Sequence, residues 1–196
     1  GEIATLARLV EQDRGVEGQI LDAVTVAPGF EAALGAVLGE DLTEPLREGP
    51  DGSGWHALAP YDAAPSLPGG AKPLSAHVKG PSALARRLSQ VGIVDPDAGA
   101  SVHGALTPGQ RLVSTAGDVW RWDGLVRAAG DAPSAAALRL KQINRLGELR
   151  REEDTARATV EAIAARESKA AEAFKPTSDE AAAARLPRRA ADAALA

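Results

Sequence analysis

Apolar positions along the first third of the chain change period several times. Ile3, Leu6 and Val10 follow a 3-then-4 spacing, so residues 2–13 predict a short amphipathic helix, with Arg14-Gly15 and Gly18 as its stop. Residues 19–27 (QILDAVTVA) are apolar and rich in β-branched side chains and predict a strand. Pro28-Gly29 is turn chemistry. Phe30, Ala33, Leu34 and Val37 then share one face of a helix over 30–38 that Gly39 caps, and 42–46 predict a short strand.

The middle of the chain is punctuated by proline and glycine. Residues 47–54 (REGPDGSG) read as turns, Trp55–Tyr61 as a strand that Pro60 weakens, and 62–73 as a Pro/Gly loop. Gly80-Pro81-Ser82 opens a helix with Leu84, Leu88 and Val91 on its face and Gly92 as its stop; 95–109 read as loop. In RLVSTAGDVWRWDGLVRAAG (111–130), strand formers alternate with Gly117-Asp118 and Asp123-Gly124, so two or three short strands joined by tight turns are expected. Spacing by two places Trp120 and Trp122 on one face of their strand.

After Ala132-Pro133-Ser134 the texture changes. Leu146, Leu149, Glu153, Ala156, Val160, Ile163, Glu167, Ala170 and Phe174 recur by threes and fours, a heptad seam that two glutamates interrupt. This predicts one long helix over 135–174 whose seam needs a partner, and the N-terminal stripe through Ile3, Leu6 and Val10 matches it. Pro176 and Pro187 predict fraying or a separate short helix over 175–196. Residues 1–14 and 134–174 then read as coiled-coil arms flanking a globule at 15–133.

Composition adds limits. Of 196 residues, 44% are apolar but only 3% aromatic, which favours helices over a thick core, and Cys is absent, which excludes disulfides and thiolate sites. No apolar run approaches the ~18 residues of a membrane span and no signal-peptide pattern opens the chain, so no membrane partner is expected. Net charge is −5, unevenly placed: residues 1–133 hold 10 basic and 17 acidic side chains, residues 134–196 hold 12 and 10.

Catalytic signatures are missing. Neither a phosphate-binding G-x-x-x-x-G-K-[ST] loop, nor G-x-G-x-x-G, nor G-x-S-x-G occurs, and His56, His77 and His103 lack metal-ligand spacing. No enzyme activity, cofactor or metal is expected; an unrecognised site in the 62–77 loop is the reading that would reverse this. Basic residues suggest more. Arg139, Lys141, Arg145, Arg150 and Arg151 crowd the start of the long helix, and Lys79, Arg86 and Arg87 lie on and before the earlier one. Brought together they make a sequence-blind phosphate patch; kept apart they are ordinary Glu/Arg decoration of a coiled coil. The glycine-punctuated strands at 111–130 are equally open to pairing with a second copy or to a simple internal meander.

Four ordered blocks, ILDAVTVAPGFEAALGAVLGEDL (20–42), WHALAPYD (55–62), VKGPSALARRLSQVGIVD (78–95) and LVSTAGDVWRWDGLVRAAGD (112–131), resemble the hinge domain of a structural maintenance of chromosomes (SMC) protein, most like the bacterial chromosome-partition type. The resemblance covers about residues 3–174. It implies an α+β fold of two lobes with a linking helix near 80–92 and flanking antiparallel coiled-coil helices. It implies a homodimer formed through strand edges, with Val113, Gly117, Val119, Trp120, Trp122, Gly124, Val126 and Gly130 at or near the interface. It also implies weak, non-specific DNA binding near the root of the arms, carried by Lys79, Arg86, Arg87, Arg139, Lys141, Arg145, Arg150 and Arg151. ATPase heads and contacts to kleisin and accessory subunits would belong to the full-length protein, in the cytoplasm at the bacterial nucleoid. A coiled-coil adaptor whose globule binds a protein and no DNA is the alternative, and the acidic globule speaks for it.

Overall fold

The computed structural model describes residues 1–12, 18–130 and 135–194. The helix stop expected at Arg14-Gly15 and the change of texture at 132–134 lie outside them. Residues 1–147 and 148–196 form two units.

In the first unit, helix α1 spans Glu2–Gln12 with Ile3, Leu6 and Val10 half-buried, as their spacing predicts. The strand expected over 19–27 is a 3-10 turn at Ile20–Ala23 followed by a two-residue strand β1, Thr25–Val26. Ile20 and Leu21 are consecutive and both fully buried. Alternation in a strand would expose one of them; a tight helical turn sends both into the core and leaves Asp22 outside. Helix α2, Glu31–Leu38, follows as expected and ends where Gly39 takes a positive φ of 53°. A second 3-10 turn at Gly39–Thr43 takes the first two residues of the short strand expected at 42–46; β2 is Leu46–Arg47 and β3 only Trp55–His56, the two pairing in parallel.

Strands β4 (Lys72–Pro73) and β5 (Val78–Lys79) follow, β5 pairing antiparallel with β1. The linking helix is shorter than its pattern, a 3-10 turn at Ser82–Leu84 running into α3 at Ala85–Ser89. Val91-Gly92-Ile93 is then strand β6, not the helix end. Gly92 is there for packing: a Cβ would lie 2.9 Å from the Ala71 Cβ and 3.0 Å from Leu112 Cδ2. The region expected to be loop contains α4, Pro96–Val102, with Pro96 in its first turn. It links β6 to β7 (Arg111–Val113), which are parallel and so require a crossover. Strands β8 (Val119–Arg121) and β9 (Val126–Arg127) complete an antiparallel meander, giving a five-stranded sheet of order β4-β6-β7-β8-β9.

A single apolar cluster joins these pieces: Ile20, Leu34, Leu42, Leu74, Leu84, Val91 and Val113 are all fully buried within it. Helix α5 runs from Ala135 to Ala194, and its first turns contribute Ala136 and Leu140 to that cluster. Gly35 of α2 lets the backbones meet, since a Cβ there would stand 2.4 Å from the Ala137 Cβ. In the second unit α5 continues through Pro176 and Pro187, where a break was expected, and every described side chain from Arg150 onward is exposed.

Candidate self-association edge and basic surfaces

Strand β9 is an end of the five-stranded sheet, bonded to β8 on one side. The opposite end, β4, contains Pro73, which lacks an N–H and blunts pairing. At the β9 end, Trp122, Leu125 and Val126 are 47%, 38% and 54% exposed. The hairpin that presents them is firmly built. Arg121 N donates to Leu125 O (2.9 Å), Gly124 adopts φ of 92°, and the Arg121 guanidinium grips both oxygens of Asp123, Nε–Oδ1 at 2.8 Å. That fork holds the Asp123 carboxyl down at about 2. One turn earlier, Ser114 Oγ donates to Asp118 Oδ2, while Asp118 Oδ1 accepts from Ala129 N at 2.9 Å. The hydroxyl first and the amide second lower the Asp118 carboxyl below its ordinary range. Asp118 therefore ties the end of β9 to the β7–β8 turn.

The interface residues expected from sequence divide. Trp122, Gly124, Val126 and Gly130 are exposed. Val113, Gly117, Val119 and Trp120 are buried within the chain itself, and the side chains of Val113, Val119 and Trp120 are already spent on the core. Trp120 and Trp122, expected to share a face, differ in burial, at 7% and 47% exposed. Trp120 pairs with Leu112 and lies on α4, where Gly99 leaves room for its ring, whereas Trp122 lies beyond the end of β8.

The basic residues occupy two settings. Arg86 and Arg87 belong to α3. The Arg86 guanidinium stacks over the Tyr61 ring at 4.5 Å and its Nε donates to Ala59 O. Arg87 and Arg111 both point at the carbonyl of Val37 in the last turn of α2, Arg111 Nη1 at 2.6 Å, where the helix dipole favours cations. Burial, then repulsion from Arg87 and Arg121, lowers Arg111 to about 10; burial also lowers Arg87, with Asp41 pulling the other way. Sequence reasoning missed Arg111, because a lone arginine opening a strand carries no pattern.

Arg139 corrects an expectation. It is 5% exposed, its Nη1 donating to Gln19 Oε1 (3.1 Å) and Nη2 to Asp22 Oδ1 (3.0 Å). It anchors the start of α5 and is not open to a phosphate. Asn144, one turn on, donates to Glu31 Oε1 (2.6 Å) and Val26 O (3.1 Å), and the buried Glu31 also accepts from Gly29 N. Arg145 meets Glu2 at 3.5 Å. Lys79, Lys141, Arg145, Arg150 and Arg151 remain exposed. Among the described residues no cluster of three or more His, Asp or Glu could hold a metal, and no helix is long and apolar enough to cross a membrane.

No protein-family model matches the chain. Two curated relatives do. The chain is 55% identical over 157 residues, 79% of its length, to a chromosome partition protein Smc of Cereibacter sphaeroides. It is 41% identical over 171 residues to that of Rhodopseudomonas palustris. It spans about 14% of the length of each. Among solved structures, an asymmetric dimer of the Geobacillus stearothermophilus SMC hinge domain shares the fold at TM-score 0.51 and 18% identity, over 82% of this chain and 77% of that one. The sheet, the linking helix and the emergent α5 thus define an α+β hinge domain with a coiled-coil helix. The chain belongs with the hinge segment of the bacterial SMC chromosome-partition proteins.

Proposed function

We propose that this hinge joins two copies of a longer SMC protein by pairing at the β9 edge, and that its exposed basic residues bind DNA phosphates without sequence preference. The observation that carries self-association is the β9 edge, unpaired among the described residues, with its apolar fringe of Trp122, Leu125 and Val126, beside an opposite edge closed by Pro73. The dimer of the Geobacillus hinge supports the same reading. A charge at the centre of that fringe tests it: Val126→Lys is expected to shift a dimer toward monomer in sedimentation velocity, and an unchanged species contradicts it.

DNA contacts fall to Lys79, Lys141, Arg145, Arg150 and Arg151, all exposed, with Arg139 withdrawn. Binding of duplex DNA should weaken steeply with salt, and glutamine at positions 141, 145, 150 and 151 together should lower that slope. Dimerisation with no DNA shift at low salt would instead favour the adaptor reading, which the acidic balance of residues 1–133 supports. ATP turnover, kleisin contacts and location at the nucleoid belong, in this proposal, to the longer protein.

A further inference from the structure

A cleft of about 650 Å³ opens beside α3, lined by Trp55, His56, Tyr61, Arg86, Arg87 and Gln90 among others. Its size suits a small ligand. Its composition departs from that of the chain, which has three Trp and one Tyr in 196 residues yet places one Trp and the sole Tyr here. No Asp or Glu lines it.

The aromatic groups are held in place. Trp55 Nε1 donates to Asp41 O at 2.7 Å, and the His56 ring nitrogens lie 2.7 Å from Gly49 O and 2.9 Å from Gly52 O. Tyr61 is 47% exposed and carries the Arg86 guanidinium over its ring. Among the described residues Arg86 has no carboxylate partner. Arg87 reaches only one carboxylate, Asp41, at a long 3.9 Å, and donates to the Val37 carbonyl at 3.5 Å, while its buried Nε has no hydrogen-bond partner. Two adjacent cations without a full complement of acceptors call for an anion. Fixed aromatic faces and an arginine plane call for a flat ring beside it.

We infer that this cleft binds one nucleotide unit with an unpaired base, the base lying against Trp55 and Tyr61 and the phosphate on Arg86 and Arg87. The site is distinct from the exposed lysines and arginines assigned above to duplex phosphates, and it stands if those contacts fail. A free nucleotide and a residue of a single strand offer the same chemistry; a paired base does not, because its faces are covered by its neighbours.

The test follows the Trp55 indole N–H by ¹H–¹⁵N NMR in the full chain. The probes are thymidine monophosphate, a short oligothymidylate, a duplex of equal length and inorganic phosphate. The Trp55 signal should move with the monophosphate, the single strand or both, while Trp122 stays still. A response to the monophosphate marks a free-nucleotide site, and a response to the strand alone marks a strand site. Arg86→Gln and, separately, Tyr61→Leu should each weaken that binding about tenfold, with the far-UV spectrum unchanged. A still Trp55 signal with both nucleotide probes overturns the inference. So does an equal response to inorganic phosphate or duplex, or full affinity in both variants.

Discussion

Arginines on the first turns of a long helix normally reach into water, and Arg139 does not. Its fork is taken by Gln19 and Asp22, so its charge serves to dock α5 and is lost to any ligand. Removing it leaves Asp22 without its cation and opens space beneath α5, so Arg139→Ala should cost about 3 kcal/mol in chemical denaturation. Arg139→Lys should recover little, because an ammonium cannot span both acceptors. A loss under about 0.5 kcal/mol, the range of a surface substitution, would contradict this docking role. Asp118 carries a pH dependence of its own. Its carboxyl sits lower in the folded chain than in the unfolded one, as does that of Asp123 at about 2. The unfolded chain therefore takes up protons first as pH falls. The stabilisation is present above the unfolded value of about 4 and is lost as pH falls through the lower folded values, about 2 for Asp123. Asp118→Asn should be less stable at pH 6 and lose less than the parent between pH 5 and pH 2; equal losses would contradict it.

At the scale of elements, the 111–130 meander and α2 were legible because turn residues and spacing agreed. Gly117 and Gly124 stand at positive φ where the two hairpins reverse. The failures share a cause: short apolar runs whose fate depends on what lies against them. Ile20-Leu21 and Val91-Gly92-Ile93 carry no period that separates strand from helix. Core contacts on both residues decide the first, and pairing with β4 and β7 decides the second. Helix α4 was hidden by its own Gly99, which reads as loop chemistry but makes the seat for Trp120. Gly99→Ala would drive a Cβ to 2.4 Å from the Trp120 ring, so despite better helix propensity it should destabilise by about 2 kcal/mol. A stabilised variant in a thermal melt would show that Trp120 is not seated there. For the candidate sites, the sequence marked the region of the β9 edge but not which residues face outward. Alternation along a strand assigned Trp120 and Trp122 to one face, but period alone does not tell that the first is buried and the second exposed. The cleft at Trp55, Tyr61 and Arg86 was invisible to local pattern, since its walls come from positions some thirty residues apart.

For the whole molecule, the balance between a closed fold and an open edge sets what the chain can do. The apolar cluster draws in residues from 20 to 140, including the first turns of α5, which makes the globule and the root of its helix one folding unit. Glu31, Asn144, Arg139 and Asp22 fasten that root with part-buried polar bonds, which require a fixed geometry to be satisfied. The second unit is different: Val160, Ile163 and Phe174 are 65%, 50% and 69% exposed along α5. A stripe of that kind suits packing against another helix. In the proposed function the β9 edge is what a second copy pairs with, and that pairing is what makes this chain a joint. Multi-angle light scattering on the unaltered chain at micromolar concentration tests that most directly. The expected mass is twice 20.1 kDa, falling to 20.1 kDa with Val126→Lys. A chain that remains at 20.1 kDa throughout, or a dimer indifferent to Val126→Lys, would contradict it.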